Sequence, residues 1–482
     1  MTDASITVLV SVPHGGAAGN ILRTGMIGRV LDAHPTVRVV LASPLVKDAA
    51  FAAEFAHPRI ALEDLPPHRP AGLEARLNAL VQAGYLDSGV TESVKIRRAE
   101  ALAKGSVRWI KAKKLLASTI APSLVRKETR YQLSDRFVSH PLAEALFDRH
   151  RPVLLVVSNP GLILSEVPLL RTAARRQVRS VAVDPSWDNF TNKLIPVRLV
   201  DRLIVWNDLM KEQAVALHGY ECEQIRVAGT PQWDRYFHDD IIVPRETFMR
   251  RIGADPAKKL VTLTTSPAEL YAHFDHVIRV MAAAMGAGRW PNTQALVRVH
   301  PRDDIGRYAQ FASMPNVIIE KPFKPTVRAG DGMAVDMTAD TQRHLANTMR
   351  HSDVVVQVAS TIAIEAAIFD TPVVNISFDG ETPDEYVRSA RRYRQFTHFV
   401  KITNRNSLRD ASTAEAMVEH VASYLADPSL ERDGRRLVVQ DQCQFLDGRA
   451  AERVAGFVAA ELAEVTGIQV SPTCAESLAS SR

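Results

Sequence analysis

"SDVVVQVASTIAIEAAIFDTPVV", residues 352–374, reads as a strand, a turn, a helix and the start of a second strand. Val354, Val355 and Val356 are β-branched and follow one another without polar alternation, as in a strand covered on both faces. Ala359, Ser360 and Thr361 break the run, and a helical pattern follows to the Asp-Thr-Pro stop at 370–372. A buried strand that returns through a helix to another buried strand is the repeating unit of a parallel α/β sheet.

The same unit recurs in both directions along the chain. Apolar runs of strand length lie at 6–12, 37–43, 152–158, 179–186 and 201–207 in the first half, and at 259–265, 295–300, 316–320, 352–360 and 372–377 in the second. A polar, proline-containing stretch near 239–258 separates the two series. At 482 residues the chain is too long for one ordinary core. The reading is therefore α/β with two doubly wound, Rossmann-like domains. Residues 1–240 form the first, with a helical insertion at about 90–135, and 250–440 the second. A last helix is expected over 441–468, and a disordered tail, "SPTCAESLASSR", within 469–482.

Composition narrows the function. The chain is 46% hydrophobic and 23% charged, as a globular protein is, and a net charge of +5 selects no partner by itself. Cys222, Cys443 and Cys474 have no paired spacing, so neither a disulfide framework nor a zinc motif is implied, and a cytoplasmic setting is expected. The longest apolar stretch, "VLLVVSNPGLIL", is broken at Ser158–Gly161 and falls short of the roughly 18–20 residues that cross a bilayer.

Residues 93–121 stand out as helical and basic, with Lys95, Arg97, Arg98, Lys104, Arg108, Lys111, Lys113 and Lys114 against the single acid Glu100. Such a helix packs its apolar side on the first domain, lies on an anionic membrane surface, a peripheral position at the inner face, or binds a phosphate-bearing substrate. No aromatic platform accompanies the charge, so nucleic acid is not expected.

In a parallel α/β sheet ligands bind beyond the carboxyl ends of the strands, so the chemistry is sought there. In the second half Thr264, Thr265 and Ser266 follow the first strand and offer hydroxyls and amides to phosphate oxygens. Arg298 and His300 follow the second strand, in "RVHPRDD" (298–304). Arginine presents a fixed fork of donors to a phosphate, and histidine adds another donor as charge develops. Ser360 or Thr361 can cap the helix after the fourth strand, and Glu365, one turn on, suits the hydroxyls of a ribose or sugar. Together these describe a nucleoside-diphosphate pocket.

In the first half, "SVPHGGAAGN" places His14, Gly15 and Gly16 after the first strand. The glycines at 15, 16 and 19 do not make the GxGxxG dinucleotide motif. His14 is a candidate general base. "DPSWDNFTNK" (184–193) offers Trp187, Asp188 and Asn189 as acceptor contacts, with Lys193 beside them, since an indole face packs on a sugar ring. "VAGTPQWDRY" (227–236) reads as a turn and a helix start, with a structural role for Gly229, Pro231 and Asp234.

With these pieces in place, the chain resembles the GT-B glycosyltransferase superfamily, and within it the branch of CDP-glycerol glycerophosphotransferases and related surface-polysaccharide transferases. The matching segments are "SWDNFTNK", "DRLIVWND", "VAGTPQWDRY", "VRVHPRDD", the 352–374 stretch and "DGRAAERV", spread over residues 150–455. The resemblance implies two domains facing across a cleft, with a nucleotide-sugar donor on the second and a saccharide or lipid-linked acceptor on the first. It puts the donor phosphates on His300, Ser360 and Thr361 with Arg298 nearby and brings Glu365 to the ribose; the expected catalytic pair is then His300 with His14, the candidate base read from its own loop. It also starts a last helix at Asp447–Arg453 that crosses back onto the first domain.

No cofactor or metal is implied. The other main glycosyltransferase fold holds its metal with an Asp-x-Asp pair, which this chain lacks, so positive side chains and helix amides would stabilise the leaving diphosphate. Gln357 and Val358 stand where the glycerophosphotransferases carry an acid and an aromatic, which favours sugar transfer over glycerol phosphate transfer. Nonhydrolysing UDP-N-acetylglucosamine 2-epimerases share the fold but carry "DSGG" where this chain has "VAST". A nucleotide-binding module without turnover is the non-enzymatic alternative.

Overall fold

A computed structural model describes residues 6–66, 68–103, 135, 138–193, 195–322 and 338–468. The chain divides into two compact units, with the passage from one to the other after Asp234.

The first unit comprises residues up to 234 together with 444–468. Its sheet contains β1 (Ile6–Ser11), β2 (Val37–Ala42), β3 (Ile60–Glu63), β4 (Leu154–Val157), β5 (Arg179–Val183), β6 (Arg202–Val205) and β7 (Ile225–Val227). The order is β3-β2-β1-β4-β5-β6-β7, every pairing parallel, with Ile6 opposite Val37 and Val8 opposite Leu154. The order reverses between β1 and β4, and there the flanking connections diverge and open a crevice at the carboxyl ends.

This unit's core joins Val8, Val10, Val39, Leu41, Val156 and Val181 of the sheet to Ile21 and Leu31 of the first connection and to Val454, Val458 and Leu462. The last three belong to the helix Ala450–Thr466, which packs on the helix Met26–Ala33. Each such side chain taken from water contributes about 1.5–3 kcal/mol.

The segment 227–236 serves that junction. Gly229 adopts φ +87, and a Cβ there would come 3.0 Å from the Cβ of Ala450, so the chain needs glycine. Asp234 accepts the amides of Ala450 and Ala451 at 2.8 and 2.7 Å and satisfies the first turn of the closing helix. Arg453 donates from Nε to the Ala228 carbonyl at 2.8 Å and pairs with Asp447, also at 2.8 Å.

The second unit comprises residues 235–322 and 338–443. Its sheet contains β8 (Lys259–Thr264), β9 (Thr293–Arg298), β10 (Val317–Glu320), β11 (Val354–Gln357), β12 (Val373–Ile376) and β13 (Arg409–Ala411) in the order β10-β9-β8-β11-β12-β13, again all parallel. Here the order reverses between β8 and β11. The 239–258 stretch is partly helical: Arg245–Arg251 buries Phe248 and Met249 against Leu260 and Leu296.

All ten expected strands are present. β3, β7 and β13 are additional, and each is an edge strand of three or four residues. No helix of the described residues is long and apolar enough to cross a membrane. The basic segment lies within them only as far as Ala103, and the rest of it falls outside. In the described part, the helix Glu92–Ala101 buries Val94 and Ile96, Arg98 pairs with Asp87 at 2.8 Å, and Lys95 with Glu92 at 2.5 Å. The expected tail, 469–482, lies outside the described residues.

Candidate active site

The polar groups read from the second half gather at the reversal point of the second sheet. Thr264 and Arg298 are register partners at the ends of β8 and β9, and Val356 pairs with Leu263, so β11 ends beside them. Thr265 accepts the His300 amide on Oγ1 at 2.8 Å. The hydroxyls of Thr264 and Ser266 are buried with no hydrogen-bond partner among the described residues.

Arg298 is 4% exposed. Burial lowers its pKa, while the carboxylates of Glu320 and Glu365 favour the charge; a guanidinium stays protonated regardless. Glu365 is buried too, and its Oε2 accepts from the Tyr236 hydroxyl at 2.6 Å. Burial pushes the Glu365 carboxyl up to about 7 against the opposing effects of that hydrogen bond and of Arg298. Glu365 is thus tied to Tyr236 rather than standing open at the surface.

His300 holds its ring by accepting the Arg302 amide on Nδ1 at 3.0 Å. Burial, helped by the charge of Arg302, pushes its pKa down to about 4. The ring is therefore neutral near pH 7, and its proton sits on Nε2 as a donor.

The turn after β11 differs from the expectation of free helix amides. The amides of Ala359 and Ser360 donate to Asn375 Oδ1 at 2.7 Å and to Gln357 Oε1 at 2.9 Å. Thr361 occupies the cap position of the helix Ile362–Ile368 without a capping side-chain bond, and Ser360 Oγ accepts the Ile362 amide at 3.3 Å. Gln357 is therefore a brace for this turn.

In the first unit His14 sits at the reversal point between β1 and β4, where its Nδ1 accepts the Ala17 amide at 3.1 Å. Gly15 and Gly16 are buried in the short turn it caps. After β5, Trp187 is 5% exposed and Asn189 2%, so the indole packs inside the unit instead of presenting an open face. Asp188 accepts from Ser186 Oγ at 2.5 Å and from Asn192 at 2.9 Å.

Asn189 donates at 2.7 Å to a residue that sequence reading passed over. Asp184 is fully buried at the end of β5, accepts the Ser186 amide at 2.9 Å, and keeps Oδ2 without a hydrogen-bond partner among the described residues. Burial pushes its carboxyl up to about 8. Its signal was available, since it stands directly after a strand, as His14 nearly does. Glu320 carried the same signal, as the last residue of β10 and the register partner of Arg298, whereas Tyr236 gave none, because packing between distant segments brings it to Glu365.

No family model matches the chain, and no curated protein matches it in sequence. Solved structures do match in shape. A UDP-N-acetylglucosamine 2-epimerase homologue from Listeria monocytogenes superposes with a TM-score of 0.56 at 11% identity over 96% of this chain and 98% of that one. MnaA of S. aureus, solved with UDP, gives 0.55 at 12% identity over 97% and 99%. The Neisseria meningitidis UDP-GlcNAc 2-epimerase, solved with UDP-GlcNAc, gives 0.52 at 9% over 95% and 99%. Likeness at this identity shows the fold. The chain has the two-domain, Rossmann-like GT-B fold.

Proposed function

We propose that this chain is a GT-B enzyme acting on a nucleotide sugar, and that it transfers the sugar to a hydroxyl acceptor in surface-polysaccharide or glycoconjugate synthesis. One observation carries the reading. A buried arginine, two buried hydroxyls without hydrogen-bond partners among the described residues and a neutral histidine donor lie at the carboxyl ends of the strands about the reversal point of the second sheet, where α/β folds place phosphates. Arg298 with the hydroxyls of Thr264 and Ser266 would hold the diphosphate. His300 would donate from Nε2 to the departing oxygen, and Ser360 and Thr361 would add hydroxyl contacts. His14, with Gly15 and Gly16 at the first unit's own reversal point, is proposed as the base for an acceptor held by that unit together with Asp188.

A second reading, epimerisation at C2 of a UDP sugar, is favoured by the solved neighbours named above. Against it stands "VAST" in place of "DSGG".

The test begins with thermal stabilisation by UDP, CDP, GDP and their sugar conjugates, read as the increment over nucleotide-free protein at fixed EDTA. A ligand at 100 times its Kd adds about 2.7 kcal/mol. One base should stand out, and Arg298→Ala should abolish the increment. No increment with any nucleotide would end the proposal. Incubation of the preferred donor in D2O then separates the two readings. Epimerisation must break the C2–H bond and put deuterium on the recovered sugar, whereas transfer leaves that carbon unlabelled and releases the nucleoside diphosphate.

A further inference from the structure

In the first unit, away from both sheet reversal points, His68, Glu74 and His140 bring one ligand atom each to within 4.8 Å of one another. His68 lies between β3 and the helix Gly72–Ser88, Glu74 in the first turn of that helix, and His140 directly before the helix Pro141–His150. His68 Nε2 is 2.9 Å from Glu74 Oε2, His140 Nε2 is 3.7 Å from Glu74 Oε1, and the two rings meet edge to face with centroids 4.8 Å apart.

We propose that these three side chains form a binding site for a divalent transition-metal ion of the zinc class. Two ligands bound at 2.0–2.2 Å to a tetrahedral ion stand about 3.3–3.6 Å apart; the 2.9 and 3.7 Å separations, which run to the two different oxygens of Glu74, and the 4.8 Å limit on the whole set lie within a small side-chain adjustment of that spacing. Two imidazoles and one carboxylate are a ligand set that zinc takes with one position left to water. His68 remains partly exposed, 22% at its side chain, and opens the site to solvent on that side.

A buried ion-pair network alone does not account for the group. Arg171, 1% exposed, already pairs with Glu74 Oε1 and compensates its charge. His140 is 7% exposed, yet its Nε2 is buried with no hydrogen-bond partner among the described residues. At 3.7 Å from Glu74 Oε1 that nitrogen has a carboxylate near it but no hydrogen bond, whereas a metal ion gives it a bond. Arg171 then acts as the outer partner that ligating carboxylates regularly carry, fixing which oxygen turns to the ion. Sequence spacing hides the set, because His140 lies far along the chain from His68 and Glu74.

The proposal does not rest on the nucleotide-sugar reading, and its test needs no activity. The full chain, freed of metal with a chelator and of any affinity tag, is titrated with Zn²⁺ by calorimetry and with Co²⁺ by visible absorption. One equivalent should bind, with the intense d–d bands of low-coordinate cobalt and a thermal midpoint that rises with Zn²⁺ and falls back with chelator. His140→Ala and His68→Ala should each weaken binding by about 100-fold or more, beyond the loss seen for outer partners. His57→Ala, at an exposed histidine outside the cluster, should bind as the unaltered chain does. His68→Ala keeps the test valid if His140→Ala does not fold. Absence of stoichiometric binding, or binding by His68→Ala equal to that of the unaltered chain, would overturn the proposal.

Discussion

At the end of β9 a buried arginine sits in the field of two carboxylates, Glu320 and Glu365. At the end of β5 a buried aspartate is hydrogen-bonded to neutral donors alone, the Ser186 amide and the Asn189 side chain. The sheets share a strand order, yet these ends meet the cost of burial in opposite ways. The second unit keeps its charge and surrounds it with opposite charge. The first lets its acid take up a proton, with a carboxyl pushed up to about 8. Removing a member from the first kind of site strands a charge. Neutralising the second kind removes the need to take up that proton.

The largest effect should follow from Arg298→Met, which takes the cation from the buried Glu365 and from the half-buried Glu320, which keeps His344. The loss should be about 3–5 kcal/mol in urea unfolding. A change below 1 kcal/mol would mean that the carboxylates, not the arginine, had carried the strain of burial.

Next, Leu462→Ala cuts into the apolar core of the first unit and should cost about 2–5 kcal/mol, with no charge involved. Unfolding followed by tryptophan fluorescence, to which Trp187, Trp206 and Trp233 of the first unit contribute, should report it, and a loss that shifts with pH would tell against a purely apolar origin.

Asp184→Asn should differ from these in sign. Because the folded carboxyl titrates near 8 and an unfolded one near 3.8, the native state binds more protons than the unfolded state over that window. Stability therefore falls as pH rises from about 4 to 8. The asparagine variant lacks this slope, so its advantage should grow across the window and level off above it. Parallel stability–pH curves for the two proteins would show that Asp184 is ionised in the fold.

The smallest effect is expected from Tyr236→Phe, which removes one donor from Glu365 and should cost about 1–3 kcal/mol, at the lower end where the carboxyl is protonated. The cost should rise as pH passes 7, where Glu365 ionises.

The strands legible in the sequence read apolar throughout; nine of them lie between two neighbours and one, β10, is an edge. Val354–Val356, Leu154–Val157 and Val8–Val10 are apolar throughout because neighbouring strands and helices surround them. β3, β7 and β13 pair on one side only, and "IRV" and "RDA" carry the charges that an edge tolerates. The site was legible on the same principle. Thr264, Arg298 and His300 follow strands that sequence reading finds, so their position at the sheet's end follows from the strand. The availability of each group was not legible. Whether Trp187 faces out, whether the Ser360 amide is already bonded, and whether Glu365 belongs to Tyr236 depend on contacts between distant segments.

The closing helix has a consequence for synthesis. Residues 235–443 are continuous, so the second unit has its whole sequence as soon as they leave the ribosome. The first unit, begun earlier, lacks Val454, Val458 and Leu462 until the chain has passed all of the second. At about 5–20 residues per second, the stretch after Asp234 keeps the apolar side of Met26–Ala33 waiting for its partner for ten seconds or more. The part made first is finished last, and in that interval its apolar surface is open to water.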